Sequence, residues 1–429
     1  MTHETRQKER QRDADRAEST DGADDIDAPA RNGADDRFAT GVAPNADTEV
    51  LSLDSVGKSY GSERALSGLS LSVEESEVLA LLGPSGCGKT TTLRLLAGLE
   101  PPDTGQLHLR GEEIASAGTD TSRPPEERDV GLVFQDFALF PHLTVSENVA
   151  FGLAGLDDAD REARVAELLE LVDLAGRGEA YPDTLSGGQK QRVALARSLA
   201  PEPDVLLLDE PLSNLDVRLR VSMREEVHRI LAEAGVTAIW VTHDQEEALS
   251  IADRVGIMHD GRLHQIGAPE GVFERPATRF VASFLGQAGF LSGRIEGDRL
   301  ATDVGPIDRG VLDGVDGPDA TDGEAVDVLV RPDDLRVTPA SEGHAHGRIV
   351  RRQYRGPSFV YRVETTGGDV LHCLHNHTES FDVGQAVRIE LVAGHRLAWY
   401  PHEEGSGDGA DDRGVESEAE TDAQAVLDR

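Results

Sequence analysis

The chain has 429 residues, enough for two or three domains, and 38% of them are hydrophobic, enough to form real cores. Asp and Glu outnumber Lys and Arg by 80 to 42, which gives a net charge of −38. A chain this acidic repels nucleic acid and anionic lipid, so the composition argues against both as partners.

The acidic excess is spread over the whole chain. Residues 1–49 and 402–429 are rich in acidic residues and poor in apolar ones, so we predict disordered terminal extensions. The segment between them still carries a net charge of −24, and the whole sequence has only four lysines against 38 arginines. This composition resembles that of proteins from salt-in halophiles, for which we expect an archaeal source. The alternative is an acidic protein from an ordinary cytoplasm.

Targeting and membrane signals are not found. The N-terminal residues contain no apolar region of a secretory signal, and no run of 18 apolar residues occurs. The two cysteines, Cys87 and Cys373, lie far apart in sequence and do not indicate a disulfide framework. We therefore expect a soluble, intracellular chain.

The ordered sequence is predicted to begin near Val50 with two alternating strands, VLSLDSVGKSY and ALSGLSLSVEE. Three short apolar runs then predict buried strands: EVLALLG, VLLLDEP (205–211) and TAIWVTHD (237–244). Helical patterns lie between and after them, at KTTTLRLLAGL, 161–174, 187–200, 217–235 and 244–253. Buried strands that alternate with helices predict an α/β domain with a mainly parallel sheet, placed at residues 50–286.

The pattern changes after about residue 287. Short alternating strands such as AVDVLVRP, SFVYRVET and QAVRIELVAG are separated by turns rich in Gly and Asp. We predict a small all-β domain, an OB-like barrel, at residues 287–401. Residues 289–400 have room for two similar short barrel halves.

One glycine-rich segment predicts a phosphate-binding loop. Residues 83–90, GPSGCGKT, fit the pattern G-x-x-x-x-G-K-[ST], and they follow a predicted strand and open a predicted helix. Backbone N–H groups of such a loop bind phosphate oxygens, the lysine reaches the β- and γ-phosphates, and the threonine hydroxyl binds Mg²⁺. The predicted nucleotide-binding residues are Gly83, Ser85, Gly86, Cys87, Gly88, Lys89, Thr90 and Thr91. The alternative, a glycine-rich turn with an incidental lysine, does not account for this placement.

An acidic pair ends the strand VLLLDEP. Asp209 is placed to hold the Mg²⁺ shell, and Glu210 to polarise an attacking water. Most acidic pairs after an apolar run are only solvated strand ends. This pair follows a phosphate-binding loop by about 120 residues, and a further predicted strand ends at His243, which favours the functional interpretation.

The stretch TLSGGQKQRVALARSLAPEPDVLLLDEPLSNLD strongly resembles the nucleotide-binding subunits of ATP-binding-cassette (ABC) transporters. The resemblance covers residues 50–290 motif by motif, and more loosely the C-terminal domain to residue 400. It implies a P-loop domain with a helical subdomain, followed by a TOBE-like regulatory domain. It also implies that Leu185–Gln189 are the signature sequence and that 213–216 are the loop after the acidic pair. Tyr60 matches the aromatic residue that stacks on adenine. Gln135 matches the glutamine that lies between the γ-phosphate and the transport subunit.

The mechanism implied by the resemblance is a head-to-tail dimer that buries two ATP molecules. Ser186, Gly187, Gly188 and Gln189 of one subunit, with Asp216 nearby, would close over the ATP bound to the other subunit. Glu210 would act as general base, His243 would hold the γ-phosphate and Glu210 in register, and Gln135 would assist. Thr90, Gln135 and Asp209 would hold Mg²⁺. The implied partners are a second ATPase subunit, membrane permeases and an extracellular solute-binding protein, with the chain peripheral on the cytoplasmic face.

Among ABC proteins, the C-terminal β domain with VLVRPDDLRV (328–337) resembles that of importer ATPases. Residues 224–286 are most similar to those of ferric-iron transporter ATPases, so we expect iron as the cargo. Polyamine, thiamine, molybdate, sulfate and sugar remain alternatives, because the ATPase does not touch the cargo. A cassette that acts as a non-hydrolysing scaffold is the alternative from another class, and intact Lys89, Asp209, Glu210 and His243 argue against it.

The segment LHCLHNH (371–377) is the last candidate site. On a strand, Cys373, His375 and His377 would alternate onto one face, where a thiolate and two imidazoles could bind a divalent metal. The spacing is not that of a standard zinc site, and no fourth ligand lies nearby in the sequence. We therefore predict no specific metal site there.

Overall fold

The structure is a computed structural model that describes residues 48–119, 121–314 and 320–402. The predicted disordered extensions, 1–49 and 402–429, lie outside the described residues except at 48, 49 and 402. In the described ranges, no helix is long and apolar enough to cross a membrane.

The first part of the described chain is mostly β structure with one α-helix. Its elements are β1 (Glu49–Tyr60), β2 (Glu63–Glu74), β3 (Val78–Leu82), α1 (Lys89–Leu96), β4 (Thr104–Leu109), β5 (Glu112–Ser116), β6 (Thr121–Ser122) and β7 (Val130–Val133). Strands β1, β2, β4, β5 and β6 form an antiparallel sheet in the order β2-β1-β4-β5-β6. The long pairing of β1 with β2 fits the alternation predicted from the sequence.

The middle of the chain alternates helices and strands. Its elements are α2 (Val145–Ala150), α3 (Asp158–Leu171), α4 (Gly187–Leu199), β8 (Val205–Asp209), α5 (Val217–Ala234), β9 (Thr237–Thr242), α6 (Gln245–Ile251), β10 (Arg254–His259), β11 (Arg262–Gly267), α7 (Pro269–Glu274) and α8 (Arg279–Phe284). Helix α3 begins three residues before its predicted start, because the Asp157 side chain caps it by accepting from the N–H groups of Ala159 and Asp160.

A second sheet has the order β11-β10-β3-β9-β8-β7. All its neighbouring pairs are parallel except β10 with β11, which confirms the predicted mainly parallel sheet. Strand β3 is buried along its whole length because both faces of the sheet are covered. Leu79 and Leu81 face a core shared with the antiparallel sheet and α1, whereas Ala80 and Leu82 face a core shared with the helices.

The C-terminal part is all β, as predicted. Its strands are β12 (Gly289–Glu296), β13 (Arg299–Thr302), β14 (Ile307–Asp308), β15 (Leu312–Gly314), β16 (Ala325–Val330), β17 (Leu335–Pro339), β18 (Gly347–Tyr354), β19 (Ser358–Thr365), β20 (Val370–Asn376), β21 (Ala386–Leu391) and β22 (Leu397–Pro401). They form two sheets, β14-β13-β12-β16-β22-β15 and β17-β21-β18-β19-β20, around one core. The last strand, β22, lies in the first sheet with β12 and β16. The two sheets therefore do not correspond to a first and a second half of residues 289–400.

Candidate active site

The phosphate-binding loop predicted from the sequence connects β3 to α1. Gly88 is the residue before the helix and has φ +104°, a conformation that favours glycine. Gly83 also needs the absence of a side chain, since a Cβ there would lie 2.2 Å from the Met258 carbonyl oxygen and 2.6 Å from Cys87 Sγ. The loop can therefore follow a tight path only with glycine at these two positions.

Lys89 is the first residue of α1, and it is only 6% exposed. Its Nζ donates to the carbonyl oxygens of Gly83 at 2.6 Å and Pro84 at 3.0 Å, so the ammonium group lies inside the curve of the loop. Cys87 Sγ is 3.7 Å from the same Nζ, and burial raises the pKa of this thiol. Cys87 is therefore a packed neutral group of the loop.

The rest of the loop faces outward. Ser85, Gly86 and Thr90 are exposed, whereas Thr91 is half-buried at the start of α1. The helix presents backbone N–H groups at this end, and the neighbouring Lys89 supplies a positive charge. Backbone donors, hydroxyl groups and one cation in this arrangement suit a phosphate chain.

The predicted acidic pair lies two strands away from the loop, at the end of β8. Strand β9 lies between β8 and β3 in the sheet, and all three run parallel, so their carboxyl ends share one edge. Asp209 is the last residue of β8, and burial together with the neighbouring Glu210 raises its pKa. A carboxylate in this environment gains stability from a nearby cation.

Glu210 leaves the strand in a strained conformation. Its φ is +43°, unusual for a residue with a side chain, and its N–H donates to the Val241 carbonyl oxygen at 2.9 Å. The carbonyl oxygen of Glu210 accepts from the Ser213 hydroxyl at 2.8 Å. The strain is thus held by contacts on both sides, and it sets the direction in which the Glu210 side chain leaves the sheet.

His243 follows β9 and lies beside Glu210, with 3.1 Å between His243 Nδ1 and Glu210 Oε1. The hydrogen bond with His243 lowers the pKa of Glu210, and the same bond raises the pKa of His243. The positive charge of Lys89 adds to the lowering of the Glu210 pKa and opposes the rise of the His243 pKa. The phosphate-binding loop, the acidic pair and the histidine are therefore brought to one edge of the sheet.

Gln135 follows β7, the strand next to β8, and its side chain is exposed. Its carbonyl oxygen accepts from Asn214 Nδ2 at 2.7 Å, which ties the Gln135 loop to the loop after the acidic pair. Asp216 ends that second loop and caps α5 by accepting from the Leu219 N–H. The sequence did not predict the contact between Asn214 and Gln135.

The signature residues form the start of α4, a helix that contacts α2, α3, α5 and β7. Ser186 and Gln189 form a capping box: the Ser186 hydroxyl accepts from the Gln189 N–H, and the Gln189 side chain accepts from the Ser186 N–H. A Cβ on Gly188 would lie 3.0 Å from Met223 Sδ, so this glycine lets α4 pack closely on α5. Ser186 itself is exposed.

Tyr60 ends β1 and is 43% exposed. Its hydroxyl donates to Glu100, and Lys58 Nζ lies 5.9 Å from its ring centroid. Lys58 is fixed in turn by Asp103 at 3.2 Å and by the Pro101 carbonyl oxygen at 2.8 Å. The contacts of Lys58 were not predicted from the sequence. The rarity of lysine in this chain was the only signal that could have found them.

The Cys373, His375 and His377 trio does not share one face. Strand β20 ends at Asn376, so His377 lies in the following turn and is exposed. His375 is buried with both ring nitrogens engaged, Nε2 by the Val337 N–H and Nδ1 by Glu379. Burial raises the pKa of Cys373 to about 12. Within the described ranges, no three His, Cys, Asp or Glu residues are grouped as a metal site would require.

Two family matches cover the two parts of the chain. Residues 66–213 match the ABC transporter family, and residues 328–398 match the TOBE domain.

Relatives that match this chain over most of their own length are named for the import of different solutes. The spermidine/putrescine import ATP-binding protein PotA of Pseudomonas aeruginosa is 40% identical over 81% of this chain and 98% of the relative. The Fe(3+) ions import ATP-binding protein FbpC of Agrobacterium fabrum is 43% identical over 76% and 91%. The sulfate/thiosulfate import ATP-binding protein CysA 2 of Chromobacterium violaceum is 49% identical over 83% and 96%.

Proposed function

Because the chain belongs to the import ATP-binding proteins of the ABC transporter family, we propose that two copies close head to tail over two ATP molecules and hydrolyse them to drive uptake. As a member of this family, the chain binds ATP and couples its hydrolysis to transport through membrane permeases. The proposal assigns the individual steps to residues of this chain. The observation that carries it is the contact of His243 with Glu210 beside the phosphate-binding loop.

The nucleotide is held by the loop and by Tyr60. Lys89 moves from the carbonyl oxygens of Gly83 and Pro84 to the phosphate oxygens, which carry full negative charge and are better partners for an ammonium group. Backbone N–H groups of residues 85–91 bind the phosphates, and the exposed ring of Tyr60 stacks on the base.

The residues at the sheet edge fit a magnesium ion. Thr90 offers a hydroxyl, Asp209 a carboxylate and Gln135 an amide, all hard oxygen donors of the type that Mg²⁺ prefers. The raised pKa of Asp209 supports the assignment, because this buried carboxylate has a neighbouring negative charge to be neutralised. When bound, Mg²⁺ supplies charge neutralisation for the phosphates.

Glu210 takes a proton from the attacking water in this proposal. Its lowered pKa keeps it ionised and able to accept the proton. His243, whose pKa is raised by Glu210, holds the carboxylate in position and offers its second ring nitrogen to the γ-phosphate. Gln135 orients the same region from the neighbouring strand.

The start of α4 completes the site of the second copy. The N–H groups of Gly187 and Gly188 and the exposed Ser186 form a helix N-terminus of a 13-residue helix, which suits a γ-phosphate. The capping box with Gln189 keeps this turn rigid. Asp216 stands at the start of α5, against which α4 packs, and belongs to the same surface.

The permease surface is proposed to include the aromatic residues after Gln135. Phe137 is part of the core, so it is not available for binding. Phe151 is 60% exposed, and its ring lies 4.3 Å from that of Phe140. A pair of aromatic rings beside α2, one exposed and one half-buried, suits a helix from a membrane permease. The chain would then lie on the cytoplasmic face of the membrane.

For the cargo we propose ferric iron, on the resemblance of residues 224–286 to ferric-iron transporter ATPases. The relatives named for polyamine, iron and sulfate are 40%, 43% and 49% identical, so overall identity does not select among these cargoes. The solute-binding protein chooses the cargo. Uptake of labelled ferric iron, spermidine and sulfate by cells with and without this chain tests the proposal; loss of spermidine or sulfate uptake alone would overturn it.

Phosphate release from Mg-ATP in molar KCl tests the catalytic roles. Wild type is expected to turn over, and Glu210→Gln to bind ATP but release phosphate at least about a hundredfold more slowly. Glu246→Gln is the matched control, since its side chain is exposed on the helix that follows His243. Turnover of Glu210→Gln at the wild-type rate would remove Glu210 from the mechanism.

A further inference from the structure

Helix α8 is held by the C-terminal β domain. Arg279 pairs with Asp327, a residue of β16 that is 4% exposed, and its guanidinium lies 4.7 Å from the Phe290 ring centroid. Arg331, which follows β16, donates to the Ala282 carbonyl oxygen at 2.8 Å. Both ion pairing and buried hydrogen bonding therefore attach α8 to the β domain.

The same helix is also attached to the ATPase domain. Val281 is fully buried in the core that contains the helices and the parallel sheet. Phe280 stacks on His259, the last residue of β10, with 4.0 Å between the ring centroids. Gln245 Nε2 donates to the carbonyl oxygen of Phe284, the last residue of α8. This acceptor is one of the final carbonyl groups of a helix, which have no partner within it.

Gln245 lies only two residues after His243. The segment between them is tightly fixed: Asp244 donates its N–H to the Thr242 hydroxyl at 2.9 Å and accepts the N–H of Glu247 at 3.1 Å. A movement of Gln245 is therefore transmitted to His243 rather than absorbed by a flexible loop.

We propose that Gln245 is a positioning residue that links α8, and through it the C-terminal β domain, to the contact of His243 with Glu210. A shift of the β domain moves Arg279 and Arg331, and with them α8 and the Phe284 carbonyl group. Gln245 passes this movement to His243. Because Gln245 lies two residues from His243, whereas Lys89 follows another strand, loss of the Gln245 contact alone is expected to slow hydrolysis and leave ATP binding unchanged. The inference rests on the proposed roles of Glu210 and His243.

The first test uses steady-state ATPase kinetics of the full chain in molar KCl. Gln245→Met keeps the side-chain volume and removes the donor, and we expect kcat to fall about fivefold or more with KM for ATP within about twofold. Glu246→Met, on the same helix with an exposed side chain, is the control and should keep the wild-type kcat. Wild-type kcat in Gln245→Met would overturn the link even where Glu210→Gln is inactive, whereas an active Glu210→Gln would overturn the proposed function itself.

A double-mutant cycle separates a link to the β domain from a local role. Arg279→Gln releases α8 from Asp327, which keeps His402 as a partner at 2.9 Å, so folding is expected to survive. Arg279→Gln should lower kcat as Gln245→Met does, and Arg279→Lys should keep most of the wild-type kcat. In the double variant Arg279→Gln, Gln245→Met, kcat should be no lower than in the less active of the two single variants. Losses that multiply in the double variant would show that Gln245 acts without the β domain and would overturn the proposal.

Discussion

His243 and Glu210 follow adjacent parallel strands, and 3.1 Å separates His243 Nδ1 from Glu210 Oε1. The two side chains meet because Glu210 adopts a positive φ directly after β8, which turns it toward the end of β9. Each residue shifts the pKa of the other in the direction that keeps both charged.

The first prediction concerns the titration of His243. In Glu210→Gln the imidazolium loses its hydrogen bond to a carboxylate, so its pKa should fall toward the ordinary value of a histidine. In the wild type the charged contact is complete at pH values between the ordinary pKa of a glutamate and that of a histidine, is lost as the pH rises through the raised pKa of His243, and is lost as the pH falls through the lowered pKa of Glu210. NMR of histidine-labelled protein, with His243→Asn to identify the signal, measures the change. Glu246→Gln should leave the signal in place; equal titration curves in wild type and Glu210→Gln would contradict the pairing.

The second prediction concerns Lys89. Lys89→Ala removes the cation that lies inside the phosphate-binding loop, so affinity for ATP should fall roughly ten- to hundredfold, as expected for a lost charge-assisted hydrogen bond. Fluorescence titration with an ATP analogue in molar KCl measures it. Arg262→Ala, which removes an exposed cation on β11, is the control. An unchanged affinity would mean that Lys89 does not reach the phosphates.

The third prediction concerns Gly83. Gly83→Ala places a Cβ 2.2 Å from the backbone oxygen of Met258, which belongs to a buried strand and cannot easily move. We expect the free energy of unfolding to fall by about 1–3 kcal/mol and ATP binding to weaken. Gly271→Ala, in α7 with open space around it, should be neutral or slightly stabilising. Urea unfolding in molar KCl compares the two, and equal stability would contradict the close packing at Gly83.

The fourth prediction concerns salt. With a net charge of −24 between residues 50 and 401, self-repulsion is weakly screened at low ionic strength. ATPase activity and the far-UV helix signal should both decline below a few hundred millimolar KCl, roughly where the screening length exceeds the spacing of surface charges. Full activity in dilute buffer would contradict the prediction of a halophilic source.

Much of the fold was predictable because the parallel strands are buried on both faces. Continuous apolar runs such as those of β3, β8 and β9 leave a strong signal in the sequence. Strands β4, β5 and β6 were not predicted, because they are short and half polar and gain their stability from pairing with β1 and with one another.

The candidate site residues could be proposed from the sequence because glycine, lysine, carboxylate and histidine at this spacing are typical of a nucleotide-binding chain. The contacts that position them could not. Asn214 binds the carbonyl oxygen of Gln135, and Gln245 binds that of Phe284. Every residue has a carbonyl group, so an acceptor of this kind leaves no sequence signal. Only the fold shows which carbonyl group lies within reach.

The most direct test of the shared-site mechanism is the oligomeric state of Glu210→Gln with Mg-ATP in molar KCl. This variant is expected to bind ATP without completing hydrolysis, so the start of α4 from each copy should remain closed over the nucleotide of the other. Size exclusion with light scattering should show a dimer with ATP and a monomer with ADP, and the double variant Lys89→Ala, Glu210→Gln should stay monomeric at an ATP concentration that saturates Glu210→Gln but not Lys89→Ala. A monomer of Glu210→Gln at saturating ATP would contradict the head-to-tail mechanism.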